Sequence, residues 1–122
     1  MKDNIKHAFK PSWWLSNPHL QTVFPTFVRG NGAINHRQRE RLYTNDNDFI
    51  DIDWCGKENK KPLIILLHGL SGSSQSTYIV GLQQAFLEYG WQSVALNFRG
   101  CSGEPNHLAR SYHSGDTEDI NF

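Results

Sequence analysis

Six uncharged residues, Pro62-Leu-Ile-Ile-Leu-Leu67, run directly into His68-Gly-Leu-Ser-Gly-Ser-Ser74. A short run with no charge and no alternation reads as a strand buried on both faces. From Ser76 the apolar residues Ile79, Leu82, Phe86 and Tyr89 step by three or four, which predicts a helix to Glu88 with that face inward. Gly90 stands where a helix-ending glycine belongs, and Trp91 to Phe98 is a second apolar strand. Strand, glycine turn, helix, strand is the βαβ unit of a parallel sheet. Open sheets of this kind bind ligands beyond the carboxyl ends of their strands, so a site is expected at His68 to Ser74.

The rest of the chain is read around that unit. Residues 1–35 carry little periodicity. Asn17-Pro18 can start a short helix, with proline at its first position, and Pro25 would end it. Trp13, Trp14 and Phe24 are expected to pack this arm onto a larger body rather than to hold a ligand. Arg37 to Thr44 reads as a polar edge strand, and Asn45-Asp-Asn-Asp48 as a turn. Phe49 to Trp54 alternates, with Ile50, Ile52 and Trp54 on one side and Asp51 and Asp53 on the other. The two strands predict an antiparallel hairpin. The paired aspartates are expected on a solvated face, since nothing nearby completes an acid–base or metal site. Gly56 to Lys61 is a polar loop, and Arg99 to Asn106 a glycine- and proline-containing one. Asp116 with Asp119 resembles a helix N-cap pair, with aspartate in place of the usual glutamate. The helix so begun would break off at Phe122, a first sign that the sequence is a fragment.

The 122 residues suffice for one small domain with a core. Twelve basic and twelve acidic residues balance to zero, which gives no reason to propose nucleic acid as a partner. Two cysteines, Cys55 and Cys101, make neither a disulfide framework nor a metal site. No apolar run approaches the roughly 20 residues that span a bilayer. The first ten residues lack the apolar core of a signal peptide, so a cytoplasmic protein is expected. No cofactor and no metal are expected.

Three chemistries compete for His68 to Ser74. A phosphate cradle needs a lysine before its Ser or Thr, and the loop has none. A nucleophile elbow is G-x-S-x-G. Gly69-Leu-Ser71-Gly72-Ser73 has the first glycine and the serine, but Ser73 holds the last glycine's place. Gly100-Cys-Ser102-Gly103-Glu104 fails in the same way. The third chemistry is an oxyanion loop. Small residues after a strand let backbone amides point at the negative oxygen that develops in acyl transfer. His68-Gly69-Leu70 suits it, with the amide of Leu70 as donor and the His68 side chain bonded to loop backbone.

Four stretches together resemble the YheT-like branch of the α/β-hydrolase superfamily. They are Asn17-Pro-His-Leu-Gln-Thr22, His68-Gly-Leu-Ser-Gly-Ser-Ser74, Asn97-Phe-Arg-Gly-Cys-Ser-Gly-Glu-Pro-Asn106 and Tyr112-His-Ser-Gly-Asp-Thr-Glu-Asp119, in family order along the chain. The resemblance implies an α/β fold, the N-terminal portion of an α/β-hydrolase sheet: an antiparallel hairpin, then two parallel central strands with a crossover helix, incomplete. Residues 1–35 would be an N-terminal arm. Residues 36–122 would be the N-terminal part of one hydrolase domain, truncated in the helix after 116. The family consists of serine hydrolases of carboxylic esters, including short acyl esters and glycerolipids. Leu70 would give the oxyanion hole a backbone N–H, with His68, Gly69, Ser71 and Gly72 supporting it. The nucleophile, acid and base would all lie beyond Phe122, so no triad residue is assigned here. His113 and Asp116 form a tempting dyad, but the family order puts the serine before the acid and the histidine. The chain alone is expected to be inactive. The rival expectation is a non-catalytic remnant or interaction module that associates through an exposed sheet edge. Only one helix covers the two apolar strands, leaving their other face to the arm. The outer edge of the 91–98 strand is expected to lack a neighbour.

Overall fold

A computed structural model describes residues 10–22 and 36–121. The chain divides into two compact units, residues 1–30 and 31–122. In the first, Trp13–Leu15 form a 3-10 turn and residues 18–22 a helical one. Asn17 starts the latter: its Oδ1 accepts the His19 N–H at 2.9 Å and its carbonyl accepts the Gln21 N–H at 3.1 Å. Pro18 follows at the position where a missing N–H matters least. Phe24 and Pro25 lie outside the described residues.

In the second unit β1 (Arg37–Tyr43) and β2 (Phe49–Cys55) make the expected antiparallel hairpin. β3 (Ile64–Leu67), α1 (Thr77–Glu88) and β4 (Ser93–Asn97) follow, and β3 pairs in parallel with β4. The sheet runs β1-β2-β4-β3. That order exchanges the roles expected of the two apolar strands. β4 is the inner one, paired on both edges and buried at all five positions. The strand expected to be buried on both faces is, with β1, one of the two edge strands among the described residues, and its Ile65 is 57% and Leu67 43% exposed. The outer edge on this side therefore belongs to β3, not to the 91–98 strand. Asn97 ties β4 to β2: its side-chain amide donates to the Asp51 carbonyl at 3.0 Å.

The two faces of β2 and β4 differ in kind. Ile50, Ile52, Val94, Leu96 and Phe98 form an apolar cluster, with Leu42, Trp54, Cys101 and Tyr112 against it. Each such side chain contributes about 1.5–3 kcal/mol on burial. The opposite face carries Asp51, Asp53, Cys55, Ser93 and Asn97, all buried. The aspartates are 1% and 3% exposed, so the expected solvated face is absent. β1 explains this. Its Arg41 makes two bonds to the Asp51 carboxylate at 2.7 and 2.8 Å, and Arg39 makes two to Asp53 at 2.9 Å each. A buried carboxylate is tolerated when paired in this way.

α1 also presents a different face from the expected one. Ile79, Val80 and Gln83 are buried, whereas Leu82 is 42% and Tyr89 75% exposed. The Gln83 amide donates to the Asp53 carbonyl at 2.9 Å, which rotates the inward stripe onto a polar residue. The helix ends as expected at Gly90, whose φ is +68°. Gly90 N–H meets the Leu87 carbonyl and Trp91 N–H the Phe86 carbonyl, both at 2.9 Å, the paired bonds of a Schellman end. After Asp116 residues 117–121 make one hydrogen-bonded turn. Its aspartates are not caps there: Asp119 grips Arg99 at 2.8 and 2.7 Å, and Asp116 accepts from Arg110 at 3.0 Å.

Candidate functional site

Residues 68–76 link the end of β3 to α1. The loop must fold tightly, and Gly72 shows why: a Cβ there would stand 3.0 Å from the Gly69 carbonyl oxygen and 3.2 Å from His68 Cβ. Ser71 takes a left-handed conformation, φ +56°, which is uncommon for a residue with a side chain. In so compact a loop the backbone amides bond protein groups, water or a ligand.

Each amide from Gly69 to Gln75 can be followed. Gly69 N–H donates to the Tyr78 hydroxyl at 2.6 Å and Ser71 N–H to the Tyr112 hydroxyl at 2.7 Å. Gly72 N–H meets the Gly69 carbonyl at 3.0 Å. Ser73 N–H meets Ser76 Oγ at 3.0 Å, and Gln75 N–H meets Ser73 Oγ at 3.0 Å. Ser74 N–H meets Asn97 Oδ1 at 2.8 Å. Leu70 N–H alone has no partner among the described residues.

Its direction is fixed from the far side of the same peptide. The Gly69 carbonyl accepts from Gly72 N–H and faces His68 Nδ1 at 2.8 Å. In a planar trans peptide a fixed C=O fixes the N–H opposite it. The His68 ring is 5% exposed, and its Nε2 accepts the Phe98 N–H at 3.1 Å. That bond leaves the ring proton on Nδ1, where it donates to the Gly69 carbonyl. Both nitrogens are thus engaged, so His68 is a brace and no base for the Ser71 hydroxyl. The ring also stands edge-on to Phe98 and Tyr112, at 5.1 and 5.8 Å between centroids. Tyr112 stacks on Phe98 at 4.9 Å, and burial pushes its phenol pKa up.

A cavity of about 360 Å³ opens beside the loop, lined by Leu67, Leu70, Phe98, Tyr112, Asp116 and Ile120 among others. Its walls are mostly apolar, as an acyl chain requires. His68, but not Ser71, is brought to the wall of this cavity. Ser102 is not: it lies in the 99–106 loop, where its carbonyl accepts from Arg39 at 2.8 Å. The tempting dyad is not formed. His113 Nδ1 accepts the Gly115 N–H at 3.1 Å, and Asp116 turns to Arg110.

The far end of the loop is anchored in the polar layer of the sheet. Ser74 Oγ bonds the Asp53 carboxylate, and Arg37 donates to the Ser74 carbonyl at 2.8 Å. Burial pushes the Asp53 pKa up, but the Arg39 and Ser74 bonds outweigh it and hold the carboxyl below its ordinary range. Desolvation lowers the Arg37 pKa, partly opposed by Asp53. A second clamp fixes the 99–108 loop. Arg99, 4% exposed, bonds Asp46 at 2.6 Å as well as Asp119. Asp48 accepts the amides of Phe49, His107 and Leu108. Sequence reasoning missed both arrangements. Arg37, Arg39 and Arg41, alternating opposite Asp51 and Asp53, were the available signal. Nothing marks Tyr78 or Tyr112 as an amide acceptor. Among the described residues no group of three or more His, Cys, Asp or Glu side chains is placed to hold a metal ion.

The sheet order, the crossover helix and the braced loop invite comparison with known proteins. No family model matches the chain. It is 42% identical over 117 residues to the Escherichia coli protein named "Putative esterase YheT", covering 93% of this chain and 34% of that protein. The chain matches the N-terminal part of a YheT-type α/β-hydrolase. It is 29% identical over 124 residues to the human protein named Phospholipase ABHD3, over 95% of this chain and 30% of the other. The monoacylglycerol lipase of Saccharomyces cerevisiae matches at 29% over 105 residues, 85% of this chain and 21% of that one. The chain thus spans about a third or less of these relatives, in their N-terminal part. A crystal structure of XC6422 from Xanthomonas campestris, described as an a/b serine hydrolase without lid, shares the fold. Its TM-score is 0.54 at 20% identity, over 73% of this chain and 43% of that one.

Proposed function

We propose that residues 68–72 form one half of the oxyanion hole of a serine hydrolase of carboxylic esters, with the Leu70 N–H as donor. Residues 36–122 are then the N-terminal part of one hydrolase domain, and residues 1–35 an arm. The observation that carries this reading is the unpartnered amide of Leu70 in a loop whose other amides are bonded. A serine oxygen adds to the ester carbonyl, and the carbonyl oxygen gains the charge. A fixed N–H near 3 Å from that oxygen stabilises the transition state by roughly 3 kcal/mol. Collapse expels the alcohol, and water later releases the acyl group from the serine. The serine, its base and the acid belong to segments beyond residue 122. Relatives named for esterase, phospholipase and monoacylglycerol lipase activities support short acyl esters or glycerolipids as substrates.

The test has two parts. Purified chain is assayed on short p-nitrophenyl esters beside a Ser71→Ala version. No turnover is expected, and turnover abolished by the substitution would make Ser71 the nucleophile. The chain is then joined to the remaining two thirds of YheT in place of the matching third. Turnover and labelling by a fluorophosphonate are expected only in this chimera. A second reading rests on the exposed Ile65 and Leu67 at the β3 edge: an interaction module that associates through that strand. A chimera without activity beside an active YheT would favour it.

A further inference from the structure

We propose that Tyr78 and Tyr112 are positioning residues that clamp the amides on either side of Leu70, leaving its N–H as the loop's one free donor. The inference rests on the oxyanion reading of that amide. The two phenols come from unrelated places, Tyr78 from the first turn of α1 and Tyr112 from the segment after β4. They converge on the two peptide groups that flank the one bearing the Leu70 N–H. Gly69 N–H reaches Tyr78 at 2.6 Å and Ser71 N–H reaches Tyr112 at 2.7 Å. A hydroxyl serves here because it accepts without carrying charge. A carboxylate in either place would repel the oxyanion it is meant to help form.

Each bond prevents a different fault. Without Tyr78 the Gly69 amide is released, and the peptide before Leu70 can swing with it. Without Tyr112 nothing holds Ser71 in its left-handed conformation. The Ser71 amide is then a second loose donor beside the cavity. Either change moves the Leu70 N–H relative to the reacting carbon, and a displacement near 1 Å costs about a hundredfold in rate. The phenol of Tyr112 titrates above its ordinary value because burial opposes the phenolate, so it stays a neutral acceptor through the range of an ester assay. Its ring, stacked on Phe98 and met edge-on by His68, fixes where the oxygen stands. Tyr112→Phe keeps that stack and removes only the oxygen. Tyr78 is 46% exposed, so Tyr78→Phe leaves packing almost untouched.

The bonds themselves are read by amide-proton NMR in the chimera with YheT, because the isolated chain is expected to self-associate through β3. Tyr78→Phe is expected to shift the Gly69 amide proton upfield and Tyr112→Phe the Ser71 proton, each leaving the other in place. Their consequence is read in the chimera with YheT on p-nitrophenyl butyrate, with kcat and KM measured separately. Each substitution is expected to lower kcat about tenfold or more at a KM within about twofold. A role limited to stability would lower the melting temperature and spare kcat. Amide protons that do not move overturn the proposal. So does an unchanged kcat in an active chimera, which leaves the oxyanion reading standing. A chimera inactive beside active YheT sinks both, and that result differs from the other two.

Discussion

Placing a methyl group on Gly72 would strike the Gly69 carbonyl oxygen at 3.0 Å, and that oxygen belongs to the peptide whose N–H is Leu70's. Gly72→Ala in the chimera is therefore expected to lower kcat at least tenfold. Gly69→Val should be similarly severe, since its branches would reach the Tyr78 hydroxyl that takes the Gly69 amide. Leu70→Ala should cost less, because Leu70 is 87% exposed and the donor is its backbone N–H. Equal losses for Leu70→Ala and Gly72→Ala would implicate the side chain and weaken the assignment. The carboxylates give a second test at this scale. Asp51 and Asp53 titrate below their ordinary range, and Asp46 falls to about 2, chiefly through its bond to Arg99. A folded-state pKa below the unfolded one adds stability above the unfolded value, near 4, and loses it as pH falls through the folded value. Thermal stability should hold above about pH 5 and drop steeply between about pH 4 and 2. A melting temperature flat across that interval would mean that these pairs stabilise nothing. The aspartate pattern was legible in the sequence, but its burial was not. Alternation shows that Asp51 and Asp53 share a face, and only the register with Arg39 and Arg41 shows that the face can be covered.

For the elements, glycine was a better guide than hydrophobicity. Gly90 predicted the end of α1, and the chain turns there with φ +68°. Its Cβ position has room, with only Lys61 Nζ, itself bonded to the Tyr89 carbonyl, at 3.4 Å, so the cost of Gly90→Ala comes from the backbone angle. That cost is about 1–2 kcal/mol, to be read as a lower melting temperature without loss of the fold. A melting temperature unchanged within error would mean that the Schellman bonds do not set the end of the helix. Periodicity found α1 itself but chose the wrong stripe. It counts Leu82 and ignores Gln83, yet a glutamine whose amide meets a strand carbonyl is as well buried as a leucine. The order of β3 and β4 was equally hard to read from hydrophobicity. Ile64 to Leu67 is as apolar as an inner strand, but inner or edge position depends on which neighbour pairs with β2. The Asn97 side chain between Asp51 and Ser74 answers that through contacts 23 and 46 residues apart in sequence. The 68–74 loop was legible as a candidate site because its position follows from the strand–glycine–helix order, whereas the tyrosines that bond its amides arrive from elsewhere in the chain.

At the scale of the molecule, the open side of the sheet decides how the isolated chain behaves. Leu63, Ile65 and Leu67 are 42%, 57% and 43% exposed, and β3 has no outer neighbour among the described residues. An unpaired apolar edge offers both hydrogen-bonding groups and greasy surface to a second copy. Burying about 100 Å² of such surface gains roughly 2.5 kcal/mol, against a typical net stability of about 5–15 kcal/mol. Self-association through β3 is therefore expected at low micromolar concentration, with a broad or irreversible melt. Ile65→Lys places a charge on the open face while Ile64 and Leu66, the half-buried positions, are left alone. In sedimentation it should shift the chain toward monomer at little cost in helix content. Association through the 91–98 edge would predict no such effect, and β4 is paired on both sides. A sharp, cooperative melt from a monodisperse monomer, unchanged by Ile65→Lys, would mean that the exposed face of β3 drives no association and that the described residues form a self-sufficient domain.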